Sequence, residues 1–293
     1  MAASIIDGRK CAQTVRSEVA EEVKILQANY DFTPGLAAIL VGENPASAVY
    51  VKNKNIACQE VGIFSEIFKL PTDTTQEKLE SLIKTLNDDS RFNGILVQLP
   101  LPNHLDERSV ISVIDPAKDV DCLHPSNLGK LIEGTPTFIP GTPAGIQELL
   151  KRSGYNPSGL NAVICGRSNI VGKPAAMLLM QKGEWANATV TVCHTGTTNL
   201  SQFTKSADIL IAAIGKPKAI TADFVKEGAV VIDVGINRIE DTSKRSGYRL
   251  VGDVDYEGVF NKVAAITPVP GGVGPMTVAM LLLNTLKSAK YTL

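Results

Sequence analysis

Tyr50 and Lys54 stand four residues apart in a segment opened by Pro45, with Ser47 three residues ahead of Tyr50. On a helix that spacing puts them on one face. A Tyr beside a Lys can orient a substrate and exchange protons with it. The same spacing also fits an amphipathic helix whose lysine lays its stem along the surface. Gln98 is a polar residue inside the apolar run Gly94-Ile-Leu-Val-Gln-Leu-Pro-Leu-Pro102. A buried amide needs partners, so it faces either a ligand or another side chain. Asp119 and Asp121 flank Val120 in a long irregular stretch, where a pair of acids is ordinarily solvated.

A different chemistry is written at Asn161-Ala-Val-Ile-Cys-Gly-Arg-Ser-Asn-Ile-Val-Gly-Lys-Pro174. The apolar run 162–165 suits a buried parallel strand. Gly166 breaks it, and Pro174 fits the first turn of a helix with the body Ala175-Ala-Met-Leu-Leu-Met180. Strand, glycine turn and helix open a nucleotide-binding βαβ unit, and the helix N-terminus is expected to offer free N–H groups and positive dipole to a phosphate. The P-loop pattern fails, because five residues separate Gly166 from Gly172 and Pro174 replaces the Ser/Thr that would hold Mg²⁺. The dinucleotide fingerprint survives only as a variant, with Arg167 and Ser168 where it would place x and G. The next strand, around 188–193, ends in His194-Thr195-Gly196-Thr197-Thr198, without the acid that NAD sites place on the ribose 2′-OH. A carboxylate there would repel a 2′-phosphate, whereas Arg167 offers it a guanidinium fork. The missing acid favours NADP over NAD; Arg167 as a solvated loop residue is the other reading.

These residues need elements to position them. The segment 9–29 has helical spacing at Val15, Val19, Val23 and Leu26, and Gly35-Leu-Ala-Ala-Ile-Leu-Val-Gly42 reads as a buried strand. A helix follows from Pro45 to about Val61, a strand from Phe64 to Leu70, a helix over 75–86, and the strand that carries Gln98. The stretch 115–143 is loop-rich, which in a compact enzyme points to function. A helix from Pro143 leads into the nucleotide unit, and 207–215 and 228–235 are two more buried strands. The polar segment 238–249 is expected to be an exposed hairpin or excursion, and a last helix runs from Val278 to about Ser288. Parallel crossovers of this kind give an α/β class.

At 293 residues the chain has room for two domains, and 44% hydrophobic with 20% charged residues is an ordinary globular composition. A net charge of −1 without a basic block argues against nucleic acid or an anionic membrane surface. No apolar run is long enough to span a bilayer, and Asp7 interrupts any signal-peptide core. The five cysteines are scattered and lack C-x-x-C, which points to free thiols in a reducing cytoplasm and to no metal.

Taken in order, Ser-Ala-Val-Tyr50-Val-Lys-Asn-Lys54, Gly-Ile-Leu-Val-Gln98-Leu-Pro-Leu-Pro, Lys-Asp-Val-Asp121, Gly166-Arg-Ser-Asn-Ile-Val-Gly-Lys-Pro and Pro268-Val-Pro-Gly-Gly-Val-Gly-Pro-Met-Thr277 do more. The chain resembles, over essentially its whole length, the bifunctional methylenetetrahydrofolate dehydrogenase/methenyltetrahydrofolate cyclohydrolase family. The resemblance implies an NADP-dependent cytoplasmic enzyme, typically a homodimer, that oxidises 5,10-methylenetetrahydrofolate to the methenyl form. Water then opens that cation to 10-formyltetrahydrofolate. The implied fold is two α/β domains: a catalytic, folate-binding domain over residues 1–139, joined by the C-terminal helix 276–293, and a Rossmann-type NADP-binding domain over 140–275, with the active-site cleft between them. Carried over by the match, Lys54 is the catalytic acid/base, Tyr50 packs on the folate, Gln98 hydrogen-bonds Lys54, and Asp121 holds the pterin. Val97, Leu99, Pro270, Gly271 and Gly272 border the folate, while Gly166, Arg167, Ser168, His194, Thr195 and Ile236 line the NADP site. Two positions depart from the family's usual pattern: Cys122 stands where it commonly has Gly, beside Asp121, and Gly141 where it commonly has Cys. Three rival readings stay open: a shikimate- or quinate-type dehydrogenase, a non-catalytic NADP-binding redox sensor, and a dehydrogenase of this family without the cyclohydrolase step.

Overall fold

The computed structural model describes residues 2–244 and 247–293. In chain order the strands and helices are β1 (Ser4–Ile5), α1 (Gly8–Tyr30), β2 (Gly35–Val41), α2 (Pro45–Glu60), β3 (Phe64–Leu70), α3 (Gln76–Asp88), β4 (Gly94–Val97) and α4 (Glu107–Val113). There follow α5 (Pro125–Glu133), α6 (Gly141–Arg152), β5 (Asn161–Cys165), α7 (Gly172–Leu179), β6 (Thr189–Cys193), α8 (Leu200–Thr204) and β7 (Ile209–Ala212). The last are β8 (Val230–Asp233), β9 (Asn237–Glu240), β10 (Tyr248–Val251), α9 (Tyr256–Val259), β11 (Ala265–Ile266) and α10 (Val273–Tyr291).

The chain divides into two compact units, Gln13–Gly141 with Val278–Leu293, and Met1–Ala12 with Thr142–Thr277. The first is built on a three-stranded sheet, β3-β2-β4. All seven residues of β2 are buried, as its unbroken apolar sequence requires of a strand covered on both faces. Both of its pairings are parallel. Leu79, Ile83 and Leu86 of α3 pack with Ile39, Phe92 and Ile95 in the core, the expected helical stripe. Asn44 caps α2: its side chain accepts from the N–H of Ala46 and Ser47, and Pro45 follows where a missing N–H costs nothing.

The second unit holds a six-stranded sheet in the order β1-β11-β8-β7-β5-β6. Every pairing in it is parallel. β5 has β6 on one side and β7 on the other, so the winding reverses at the carboxyl ends of β5 and β7. In doubly wound sheets that reversal opens the ligand crevice. The two-residue strand β1 lies at this sheet's edge, so the N-terminal residues group here rather than with the first domain of the expected division.

Two stretches differ from the sequence reading. The loop-rich segment 115–143 contains helix α5, which His124 caps by accepting from Ser126 N–H and which Gly134 ends with φ 86°. The last helix starts at Val273, five residues before the expected Val278, because Pro275 falls in its first turn, where proline is tolerated. The expected excursion over 238–249 is the antiparallel hairpin β9–β10; its residues 245 and 246 lie outside the described ones. Among the described residues no helix is long and apolar enough to cross a membrane, and no group of His, Cys, Asp and Glu could hold a metal.

Candidate active site

In the first unit, β4 continues its ladder one residue past Val97: Gln98 N–H donates to Ile39 O at 2.9 Å. This delivers the Gln98 side chain to the end of the strand. Its Nε2 donates to Leu99 O at 2.7 Å, which leaves Oε1 to accept from Lys54 Nζ at 3.2 Å. The amide orientation is therefore fixed from behind, and the amine is held through one of its hydrogens. An amine held in this way in its neutral form keeps its lone pair for a proton. Tyr50, one turn earlier on α2, is 48% exposed, presenting a broad face rather than packing inside. Of the expected first-unit residues, direct hydrogen bonds join Lys54 to Gln98 and Gln98 to Leu99; Tyr50 shares their neighbourhood through the helix, and Val97 precedes Gln98 on the chain.

Asp121 sits on a loop whose neighbours are tied down one by one. Asp119 is 1% exposed, not solvated as a pair of loop acids would suggest. Its carboxylate accepts from Leu123 N–H at 3.1 Å, His124 N–H at 2.8 Å and Asn127 Nδ2 at 2.8 Å. Asn284 of α10 donates from Nδ2 to Val120 O at 2.8 Å and to Ile139 O at 2.9 Å. Cys122 takes the left-handed φ of 58°, a region where glycine costs least. Its buried thiol donates to Phe138 O at 3.2 Å, a bond glycine could not make. The departure at Cys122 thus keeps the loop turn that glycine would give and adds an anchor.

Burial pushes Asp119 up to about 6, against the pull of the Asn127, His124 and Leu123 hydrogen bonds, and nearby Asp121 adds to the rise. An acid raised in the folded state contributes stability that is complete below its ordinary range near 4 and is lost as the pH climbs through about 6. The stability difference between wild type and Asp119→Asn should therefore shrink from pH 4 to pH 7 in urea melts; parallel curves would mean that Asp119 does not titrate there.

In the second unit, Gly166 follows β5 with φ 146°. A Cβ on it would meet Ala213 O at 2.3 Å, and one on Gly172 would meet Gly166 O at 2.1 Å. Only glycines permit this approach. A cavity of about 480 Å³ opens at the reversal point, lined by Gly166, Arg167, Ser168, His194, Thr195 and Lys216 among others. Its lining holds two basic side chains, Arg167 and Lys216, and no carboxylate. The expectation of free N–H groups at the α7 terminus is corrected: Ser168 Oγ accepts from Val171 and Gly172 N–H, and Ser168 O from Lys173 N–H. The first amides there are already satisfied. Beyond β6, Gly196 N–H donates to His194 Nδ1 at 3.1 Å and His194 N–H to Thr197 Oγ1 at 2.9 Å, which shapes an acid-free turn. Cys165 and Cys193 also line the cavity. Burial pushes the Cys165 thiol up to about 12, so it stays protonated.

Ile236, 47% exposed, and residues 270–272 are not in that lining. A Cβ on Gly274 would meet Ile236 Cδ1 at 3.5 Å, and Gly271 O accepts from Arg9 N–H at 3.1 Å. A glycine cradle, basic side chains without an acid, and a position at the sheet reversal together suit a phosphorylated dinucleotide.

The chain matches the tetrahydrofolate dehydrogenase/cyclohydrolase catalytic domain over residues 6–121 and the NAD(P)-binding domain of the same family over 140–293. It is 56% identical to the bifunctional protein FolD of Chlorobium chlorochromatii over 97% of each chain. It superimposes with a TM-score of 0.94 on the bifunctional FolD methylenetetrahydrofolate dehydrogenase/cyclohydrolase of Campylobacter jejuni, at 47% identity over 100% of each chain. It also superimposes with a TM-score of 0.94 on the FolD of Trypanosoma brucei complexed with NADP cofactor and inhibitor, at 41% identity over 100% of this chain and 99% of that one. On these matches, and on two units that pair a catalytic domain with a Rossmann-like nucleotide domain, the chain belongs to the tetrahydrofolate dehydrogenase/cyclohydrolase family.

Proposed function

We propose that Lys54, held by Gln98, carries the proton chemistry of ring opening and that Asp121 anchors the pterin, in an enzyme that serves folate one-carbon metabolism in two steps. The chain is a bifunctional, NADP-dependent enzyme: it oxidises 5,10-methylenetetrahydrofolate to 5,10-methenyltetrahydrofolate and hydrolyses the latter to 10-formyltetrahydrofolate. The observation that carries the residue assignment is the Lys54 Nζ to Gln98 Oε1 hydrogen bond, with the amide oriented by Leu99 O. Water adding to the methenyl carbon must lose a proton, and the ring nitrogen that leaves must gain one. The Lys54 amine is placed to take the first and return the second. Tyr50 lies one helical turn away and supplies an aromatic face for the folate. Asp121 accepts from the pterin amino group and ring N–H together, a bidentate fit for a carboxylate.

When bound, NADP supplies the hydride acceptor for the oxidation. Gly166, Ser168, His194 and Thr195 shape its cavity, Ile236 extends the same site, and Arg167 reads the 2′-phosphate. Losing that charge-assisted contact costs roughly 1.5–3 kcal/mol. Arg167→Ala should therefore weaken NADP binding by roughly ten- to a hundredfold and leave NAD nearly untouched, as titration calorimetry with both nucleotides would read. Equal losses for the two would remove Arg167 from 2′-phosphate recognition.

The reading extends to a homodimer in the cytoplasm, which light scattering of the purified chain tests for the oligomer. For the activity itself, methenyltetrahydrofolate supplied without nucleotide should be opened above its uncatalysed rate. A shikimate-type dehydrogenase or a non-catalytic NADP sensor would leave it at that rate.

A further inference from the structure

The wall of the dinucleotide cavity formed by the chain after β7 does not hold itself up. Ala213, Ile214 and Lys216 line it, in a segment without helix or strand whose backbone N–H groups need acceptors. Ala213 N–H donates to Cys165 O at 2.8 Å, and one side chain supplies acceptors for the next three. Asp253, fully buried, accepts at Oδ2 from Ile214 N–H at 2.6 Å and Gly215 N–H at 2.9 Å, and at Oδ1 from Lys216 N–H at 3.0 Å. Its Oδ1 also accepts from Asn237 Nδ2 at 2.9 Å, the residue directly after Ile236. A single carboxylate therefore ties the turn after β7 to the first residue of β9.

Asp253 is itself held from behind. The Asp233 carboxylate accepts at Oδ1 from Asp253 N–H at 2.9 Å and Gly235 N–H at 3.0 Å, and at Oδ2 from Val254 N–H at 2.9 Å. The packing leaves no room for a side chain at either neighbouring glycine. A Cβ on Gly235 would meet Asp253 Oδ1 at 2.2 Å, and one on Gly252 would meet Asp233 Oδ2 at 1.7 Å. Burial pushes Asp233 up to about 7, with the nearby Asp253 carboxylate adding to the rise against its three N–H contacts. Four donors converge on Asp253, three on Asp233, and both side chains are shut off from water.

We propose that Asp253 is a positioning residue of the NADP site, setting residues 214–216 of the wall and the start of β9 through its four accepted hydrogen bonds, with Asp233 as its support. The proposal rests on the reading that NADP occupies this cavity. An Asn at 253 keeps the shape but offers one acceptor oxygen and turns an N–H₂ donor toward backbone donors. Buried polar groups left unpaired in this way are costly.

The ring-opening activity provides an internal control, because it needs no nucleotide. Asp253→Asn should raise the NADP dissociation constant at least about tenfold, equivalent to about 1.4 kcal/mol. Calorimetry reads that constant directly, and hydrogen exchange should show faster exchange at the 214–216 amides. In steady state the NADP KM should rise while the folate KM holds, and methenyltetrahydrofolate hydrolysis without nucleotide should stay within about twofold of wild type. Asn237→Ala, which removes one of the four donors and leaves no backbone amide unpaired, should move the same constants in the same direction by a smaller factor. It carries the test if Asp253→Asn does not fold. NADP affinity equal to wild type in the variant that folds would overturn the proposal, as would a parallel fall in both activities and in thermal stability. Failure of the wild-type chain to bind NADP would instead overturn the cofactor assignment beneath it.

Discussion

Lys54→Met should abolish ring opening while leaving the oxidation partly intact. The substitution keeps the length and apolar character of the stem and removes the amine alone. General acid–base catalysis by a positioned group contributes roughly 10²–10⁴-fold, so methenyltetrahydrofolate hydrolysis should fall by at least about a hundredfold, towards its uncatalysed rate. The oxidation asks for the methylene carbon to lie against the nicotinamide and for little from a side-chain proton, so NADP reduction should fall less. NADP binding should survive, since the cavity lining contains no residue of α2. Gln98 Oε1 would lose its donor in the variant while Nε2 keeps Leu99 O, so the amide stays oriented and the lost activity reports on the amine. Hydrolysis at the wild-type rate would remove Lys54 from the mechanism.

Asp121→Ala should damage both activities through one cause, the loss of folate. Hydrogen bonds to a charged group contribute about 1.5–3 kcal/mol each, so folate affinity should fall by roughly ten- to a hundredfold or more, with NADP affinity unchanged. The loop itself should persist. Its anchors are the Asp119 carboxylate, the Asn284 amide and the Cys122 thiol, none of which uses the Asp121 side chain. Equilibrium binding of a folate to the variant decides the matter. Wild-type affinity would place the pterin elsewhere, and lost affinity together with lowered thermal stability would point to the loop instead of the carboxylate.

The sequence made the frame legible where local pattern and burial agree. The unbroken apolar β2 is buried throughout, and the apolar run, glycine and proline of 161–174 form strand, turn and helix. Lys54 and Gln98 read as chemistry through the resemblance only, since spacing by itself favours a surface lysine. The residues that hold the site in place could not be read. Asn284 reaches Val120 across 164 residues, and Asp253 reaches Ile214 across 39; no periodicity encodes such a bond. Asp119 looked like any loop acid until the fold buried it. Ser168 stands out in sequence for its place in a nucleotide fingerprint, whereas its hydroxyl and carbonyl satisfy the helix amides expected to stay free for phosphate. β1 is two residues long, too short for any alternation to show, and pairs only because β11 presents an edge.

One chain oxidises the methylene folate with NADP and then opens the product. The direct measurement gives purified protein 5,10-methylenetetrahydrofolate with NADP or with NAD at equal concentration, following reduced nucleotide and 10-formyltetrahydrofolate together. NADP should be reduced faster than NAD, and 10-formyltetrahydrofolate should appear well above the uncatalysed rate of methenyl hydrolysis. Nucleotide reduction with methenyltetrahydrofolate accumulating and opening only at its uncatalysed rate would contradict it, as would folate-dependent reduction of NAD in preference to NADP.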